Sequence, residues 1–138
     1  MICYIKEQWE DYIYKNNIKA IKYLLDNNLI DINIQNEYNN TPLIFVSYYN
    51  KIEILKLLLS YKDVNINYQT KFKDTALILV SCWNKIEIVK LLLNHPDINI
   101  FLKNEYGKIA LYYANNKEIF NLLVNHDRKE KLKLLKHV

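Results

Sequence analysis

Two stretches of the chain are nearly the same words written 34 residues apart. Asn50-Lys51-Ile52-Glu53-Ile54-Leu55-Lys56-Leu57-Leu58-Leu59 returns as Asn84-Lys85-Ile86-Glu87-Ile88-Val89-Lys90-Leu91-Leu92-Leu93. The same offset carries Thr41-Pro42-Leu43 onto Thr75-Ala76-Leu77 and then onto Ile109-Ala110-Leu111. A fixed period of this size denotes units that bury their apolar faces by stacking on one another. Such an array offers an extended surface rather than a deep catalytic cleft.

Each unit reads as a loop, a short helix, a tight turn, a second helix and a spacer. Thr41 stands where it can N-cap the first helix, and Pro42 follows at the first helical position, where its missing N–H costs nothing. Leu43 and Val46 then share one face. The helix stops near Asn50, a residue that tolerates the left-handed conformation of a C-terminal cap. From Ile52 onward, Ile54, Leu55, Leu58 and Leu59 form a wide apolar stripe, with Glu53 and Lys56 toward the polar side. Thr75, Leu77, Val80, Asn84, Ile88, Val89, Leu92 and Leu93 repeat these choices. The spacers Asp31-Ile32-Asn33-Ile34, Asp63-Val64-Asn65-Ile66 and Asp97-Ile98-Asn99-Ile100 alternate as extended chain does.

A chain of 138 residues is sized for one domain, and its 51% apolar content suffices for a continuous core. One Gly and two Pro argue against a disordered chain. No run reaches the roughly 18 apolar residues of a membrane span. The start, with Glu7, Glu10 and Asp11, is unlike a secretory leader. Two cysteines, Cys3 and Cys82, make no disulfide framework. They fit a reducing, intracellular and cytoplasmic setting, with delivery into a host cell left open as the lesser alternative. The net charge is +4, and Arg128 is the sole arginine among 19 basic residues. Richness in Asn, Lys, Ile and Tyr resembles AT-rich coding.

The chain resembles the ankyrin repeat family. The likeness rests on the Thr-Pro-Leu start of the first helix, the Ile-Val-x-x-Leu-Leu pattern of the second, and the Asp-Val-Asn exit into a finger loop. Tetratricopeptide repeats share the period but lack the extended spacer. The resemblance implies an all-α ankyrin-repeat solenoid of about four helix-turn-helix units with finger loops. The units fall at about 1–35, 36–69, 70–103 and 104–125, two regular and two terminal. In the last, Glu118-Ile119 matches Glu87-Ile88 at an offset of 31, so three residues are missing. Residues 126–138 read as a C-terminal capping helix, with Leu132, Leu134 and Leu135 covering the array. At the other end a helix over about Glu7–Tyr14 lets Ile5, Trp9, Tyr12 and Ile13 cover the first unit.

The chain departs from the family pattern. The usual His after Thr-Pro-Leu is Ile44 or Ile78, so its hydrogen bonds to neighbouring loops must be replaced or lost. The Ala-Ala pair becomes Val46-Ser47 and Val80-Ser81. Asn50 and Asn84 replace the turn Gly. In the fingers only Gly107 remains, with Asn39 and Lys73 at the other glycine positions. A positive φ at Lys73 is strained.

Little points to chemistry. His95, His126 and His137 share no metal-ligand spacing with either cysteine, and one glycine leaves no phosphate-cradling loop. Cys82 falls on a helix, where a buried or half-buried thiol is the ordinary expectation. The recurring Asp31, Asp63 and Asp97 read as turn residues of separate units. No catalytic residue, cofactor or metal is expected.

The family binds through finger tips and the exposed side of the first helix. Carried over, this selects Glu37, Tyr38 and Asn40 in one finger. Lys71, Phe72 and Asp74 come from the next, and Glu105, Tyr106 and Lys108 from the third. Tyr38, Phe72 and Tyr106 lie one period apart. On the helices Tyr48 and Tyr49 align with Cys82 and Trp83. Aligned aromatic residues are typical anchors of binding surfaces. Ordinary repeat packing explains the same residues, and for Tyr49 and Trp83 slightly better.

The expected function is therefore a monomeric protein-interaction module (scaffold, adaptor or sequestering protein) docking another protein. The alternative is charge-driven binding of nucleic acid or an anionic membrane through Lys129, Lys131, Lys133 and Lys136. Asp127 and Glu130 dilute that field, and a solvated cap face explains it more simply, so nucleic acid is the less favoured partner.

Overall fold

A computed structural model of the chain describes residues 2–137, with side chains from residue 7 onward. The expectations for Cys3 and Ile5 lie outside the described side chains. Among the described residues there are eight helices and no strand. They are α1 (Ile2–Tyr14), α2 (Ile18–Asp26), α3 (Pro42–Tyr48), α4 (Ile52–Leu59), α5 (Ala76–Cys82), α6 (Ile86–Leu93), α7 (Ala110–Tyr113) and α8 (Lys117–Leu135). The chain forms two compact units, Met1–Asn65 and Ile66–Val138.

The first unit contains the hairpins α1–α2 and α3–α4, with α2 packed on α4. α1 is longer than the segment from Glu7 that its amphipathic pattern marks. Each hairpin turns on an asparagine with positive φ, 57° at Asn16 and 56° at Asn50. Beyond Asn50 the Lys51 amide donates to the Val46 carbonyl at 2.9 Å, closing the helix end in the Schellman manner. Asn17 donates to Tyr12 at 2.8 Å in the same way. The sequence lacks glycine at these turns, and asparagine is the residue that best substitutes for it there.

The core of this unit is the apolar set read from the repeat. Trp9, Ile13, Ile21, Leu43, Val46, Ile54, Leu55 and Leu58 are all buried. Leu59 is only half-buried. Ser47, in the place of the family's alanine, is buried and donates its hydroxyl to the Leu43 carbonyl at 2.6 Å. That local bond removes the cost of burying it. Thr41 has the extended φ and ψ of an N-cap, but its hydroxyl makes no capping bond and has no partner. The capping expectation fails there and holds at Thr75, whose hydroxyl accepts the Ile78 amide at 3.2 Å.

The spacer after α4 is a run of turns rather than an extended strand. Its backbone is held by a side chain instead of a ladder. Asn33 donates to the Asp63 carbonyl at 2.8 Å and accepts the Asn65 amide at 2.7 Å. These bonds link one repeat's loop to the next, the role left open by Ile44 in place of histidine. Ile44 itself is buried.

The second unit contains α5–α6 and α7–α8, with α5 against α7 and α6 against α8. Asn84 repeats the turn of Asn50, with φ 56° and Lys85 donating to Val80 at 3.0 Å. Ser81 repeats the bond of Ser47, donating to Leu77 at 2.7 Å. Ile88, Val89, Leu92 and Ile119 are fully buried. The three missing residues show as a shortened first helix, since α7 has 4 residues against 7 in α5. Asn116 then caps α8, accepting the Glu118 amide at 2.8 Å.

The C-terminal segment differs from expectation. Residues 126–135 are the continuation of α8, a single helix of 19 residues, and not a separate capping helix. Leu132, Leu134 and Leu135 are exposed and cover nothing. Nothing between Val124 and Leu135 breaks a helix, and Lys, Glu and Leu all favour one. The helix therefore runs past the core that its first turns bury through Ile119 and Leu123.

Candidate functional site

The fingers are tight turns built on one short polar side chain. In the first unit Asn36 accepts the amides of Tyr38 and Asn40 through its Oδ1, each at 3.0 Å. Asn39 then takes φ 57°. Tyr38 stands exposed at the tip, while Asn40 is half-buried and serves the turn.

In the second unit Thr70 accepts the Phe72 amide at 3.2 Å, and Lys73 takes φ 60°. The strain expected at Lys73 is present. Asn104 builds the next finger, accepting the Tyr106 and Lys108 amides at 3.1 Å each. Its Nδ2 donates to Asp74 Oδ1 at 2.9 Å and to the Tyr113 hydroxyl at 2.8 Å. Asn104 is buried, and every one of these bonds is internal.

The two fingers of this unit are tied together. The Glu105 amide donates to the Phe72 carbonyl at 3.0 Å, and Gln69 Nε2 donates to the carbonyls of Lys73 and Lys103 at 2.7 and 2.9 Å. The tie places Phe72 and Tyr106 on adjacent tips, 49% and 72% exposed. Lys71 lies over the Phe72 ring at 4.9 Å, and Lys108 over the Tyr112 ring at 4.3 Å. The Glu105 carboxylate beside Tyr106 holds its phenol above the usual range, because a nearby negative charge disfavours the phenolate. Trp83 is 38% exposed at the end of α5. Asp74 is half-buried and engaged with Asn104, so it supports the fingers.

In the first unit Tyr48 and Tyr49 belong to a ring cluster. Tyr49 contacts Phe45, Tyr48 and Tyr14 with centroids at 4.6, 4.9 and 6.3 Å. Lys51 donates to the Tyr14 carbonyl at 2.9 Å. Tyr14, Tyr48 and Tyr49 remain exposed.

Sequence reasoning missed Asn36, Thr70 and Asn104, although they too recur every 34 residues. The available signal was a short polar residue two places before each aromatic. It also missed Tyr14 and Phe45, which join the cluster only through folding. Cys82 is exposed, contrary to the buried or half-buried expectation. It follows Ser81 near the end of α5 and falls on the solvent side. Of the basic tail, Lys131 pairs with Asp127 at 2.8 Å and Lys133 with Glu130 at 2.7 Å, which weakens a free cationic field. No helix of the described residues is long and apolar enough to cross a membrane.

Family models for ankyrin repeats match residues 10–59 (many copies) and residues 62–133 (three copies). The chain belongs to the ankyrin repeat family. The ankyrin-repeat fold is also that of the crystal structure of the ankyrin repeat domain of Bcl-3, described as a unique member of the IkappaB protein family. Its TM-score is 0.76 at 22% identity, over 80% of this chain and 48% of that one. The chain thus spans about half the length of that ankyrin domain, and the likeness concerns the fold. No curated protein sequence matches it. Ankyrin repeats are protein-interaction modules, a scaffold family without catalysis of its own.

Proposed function

We propose that this ankyrin-repeat protein docks one protein partner and uses the exposed finger rings of its second unit as anchors. It acts as a scaffold, adaptor or sequestering protein inside cells. The observation that carries this reading is the bond from the Glu105 amide to the Phe72 carbonyl at 3.0 Å. It pre-organises two large exposed rings on neighbouring loops, which lowers the ordering cost of binding. Lys71, Glu105 and Lys108 surround them with mixed charge suited to a polar rim. Trp83 adds to this anchor set. In the first unit Tyr38, Tyr48 and Tyr49 are the corresponding exposed rings.

The test begins with recovery of a partner by the wild-type chain, followed by titration of that partner against Phe72→Ala, Tyr106→Ala and Trp83→Ala. At least one of the three should weaken binding by more than about 1 kcal/mol with the circular dichroism unchanged. Equal affinity for all three variants removes the fingers from the function.

A further inference from the structure

Away from the fingers, a groove of about 630 Å³ opens between the end of α6, the following turn and α8. It lies wholly within the second unit. It exists because α8 continues past α6 and forms one long wall. Leu93, Pro96, Ile98 and Leu122 give it an apolar floor, bordered by Asn94, His95, Asn125 and His126. Lys90, Lys129 and Lys133 line it together with Glu130, and Glu118 stands beside Lys90. Lys129 and Lys133 are one helical turn apart on the same wall.

The chain's own acids already engage two of these lysines. Lys90 on α6 holds Glu118 of α8 at 2.7 Å, and Lys133 holds Glu130 at 2.7 Å. Lys129 forms no ion pair among the described residues and is exposed. From Leu122 to Lys133 the wall runs about 16 Å at 1.5 Å per residue, enough for about five residues of extended peptide. Alternate residues of an extended peptide face opposite sides, so apolar side chains can meet the floor while carboxylates meet the lysines.

We propose that this groove binds an extended acidic peptide segment of a partner protein, with carboxylates alternating with apolar side chains. The groove has no arginine for bidentate phosphate recognition, and Leu93, Pro96, Ile98 and Leu122 offer apolar contacts that a sugar-phosphate backbone does not use. Its concave form disfavours a flat lipid surface. The site is separate from the finger rings and stands or falls independently of them.

The experiment is fluorescence anisotropy of the full chain with a labelled peptide of about ten residues alternating glutamate and leucine. A lysine–leucine peptide, an oligonucleotide and phosphatidylserine vesicles serve as competing probes. The glutamate–leucine peptide should bind and weaken with salt. The double variant K129E/K133E should lose about tenfold or more, as reversal of two charges near a surface produces. Leu122→Ser should also weaken it, and Phe72→Ala combined with Tyr106→Ala should leave it unchanged. Circular dichroism checks each fold, and Lys129→Gln replaces the double variant if that one unfolds. Absence of binding overturns the assignment. So does equal binding by the charge-reversed protein, loss of binding in the finger variant, or preference for the lysine peptide, oligonucleotide or vesicles.

Discussion

The Asn67 side-chain oxygen accepts the Asn99 backbone amide at 2.9 Å, joining residues 32 apart in sequence. The same side chain donates from Nδ2 to the Asp97 carbonyl at 2.7 Å. One asparagine thus serves two backbone groups of the next spacer. Replacing it with leucine keeps the size and removes both bonds. Asn67→Leu should lower stability by about 1–2 kcal/mol, since each net bond contributes about 0.5–1.5 kcal/mol and these are solvent-exposed. Urea denaturation measures it, and an unchanged midpoint would mean that water replaces both bonds at no cost.

Lys73 sits at φ 60° where Gly107 sits at 69° in the next finger. The left-handed conformation costs an ordinary residue about 1–2 kcal/mol. Glycine removes that strain but brings some chain entropy. Lys73→Gly should therefore stabilise by roughly 0.5–1 kcal/mol, and Lys73→Val should destabilise. Thermal unfolding of the pair decides this, with the opposite order disproving strain at the site.

Leu92 has no exposed surface, whereas Phe120 in α8 is 46% exposed. Phe120 matches Val89 at an offset of 31, and Val89 is fully buried. The repeat position is shared, but α8 carries no later helix over it among the described residues. Leu92→Ala should cost about 2–5 kcal/mol. Phe120→Ala, though it deletes the larger side chain, should cost less. Guanidinium titrations of both variants give the ranking.

Tyr61 donates to Asp26 Oδ1 at 2.6 Å, and Lys22 pairs with Asp26 Oδ2 at 2.7 Å. Hydrogen bonds from Lys22 and then Tyr61 hold the Asp26 carboxyl below its usual range. Burial, followed by the hydrogen bond to Asp26, holds the Tyr61 phenol above its own. The hydrogen bond and charge of Asp26 likewise raise Lys22. A lowered carboxyl contributes stability above its unfolded value of about 4 and loses it as pH falls through the folded one. A raised phenol or amine contributes below its unfolded value of about 10 and loses it as pH rises through the folded one. The Tm difference between wild type and Tyr61→Phe should be flat near neutrality and shrink at both extremes. A difference constant across the whole range would assign the effect of Tyr61 to packing alone.

Much of the fold was readable because its information is periodic. Asn50 and Asn84 marked the hairpin turns, and Ile54, Leu55 and Leu58 marked the buried stripe. The arithmetic at Glu118-Ile119 placed the deletion that shortens α7. What failed was decided by geometry rather than residue type. Thr41 and Thr75 look alike in sequence, yet only Thr75 turns its hydroxyl to the helix. The exposure of Leu134 depends on how far α8 outruns its neighbours, which no local pattern states. For the candidate surface, the exposed rings were readable from their alignment. The bond from Glu105 to Phe72 was not, because a backbone amide carries no side-chain signature.

The run-on of α8 also sets a gradient of local opening along one helix. Its first turns hold Ile119 and Leu123 in the core, so their amides should exchange with solvent hydrogen only when the whole unit opens. From Lys131 to Leu135 every side chain is exposed. A helix end without tertiary cover is less protected, so those amides should exchange by fraying, at a free energy well below that of opening the whole unit. A single rod of 19 residues would then span the full range of protection in this unit.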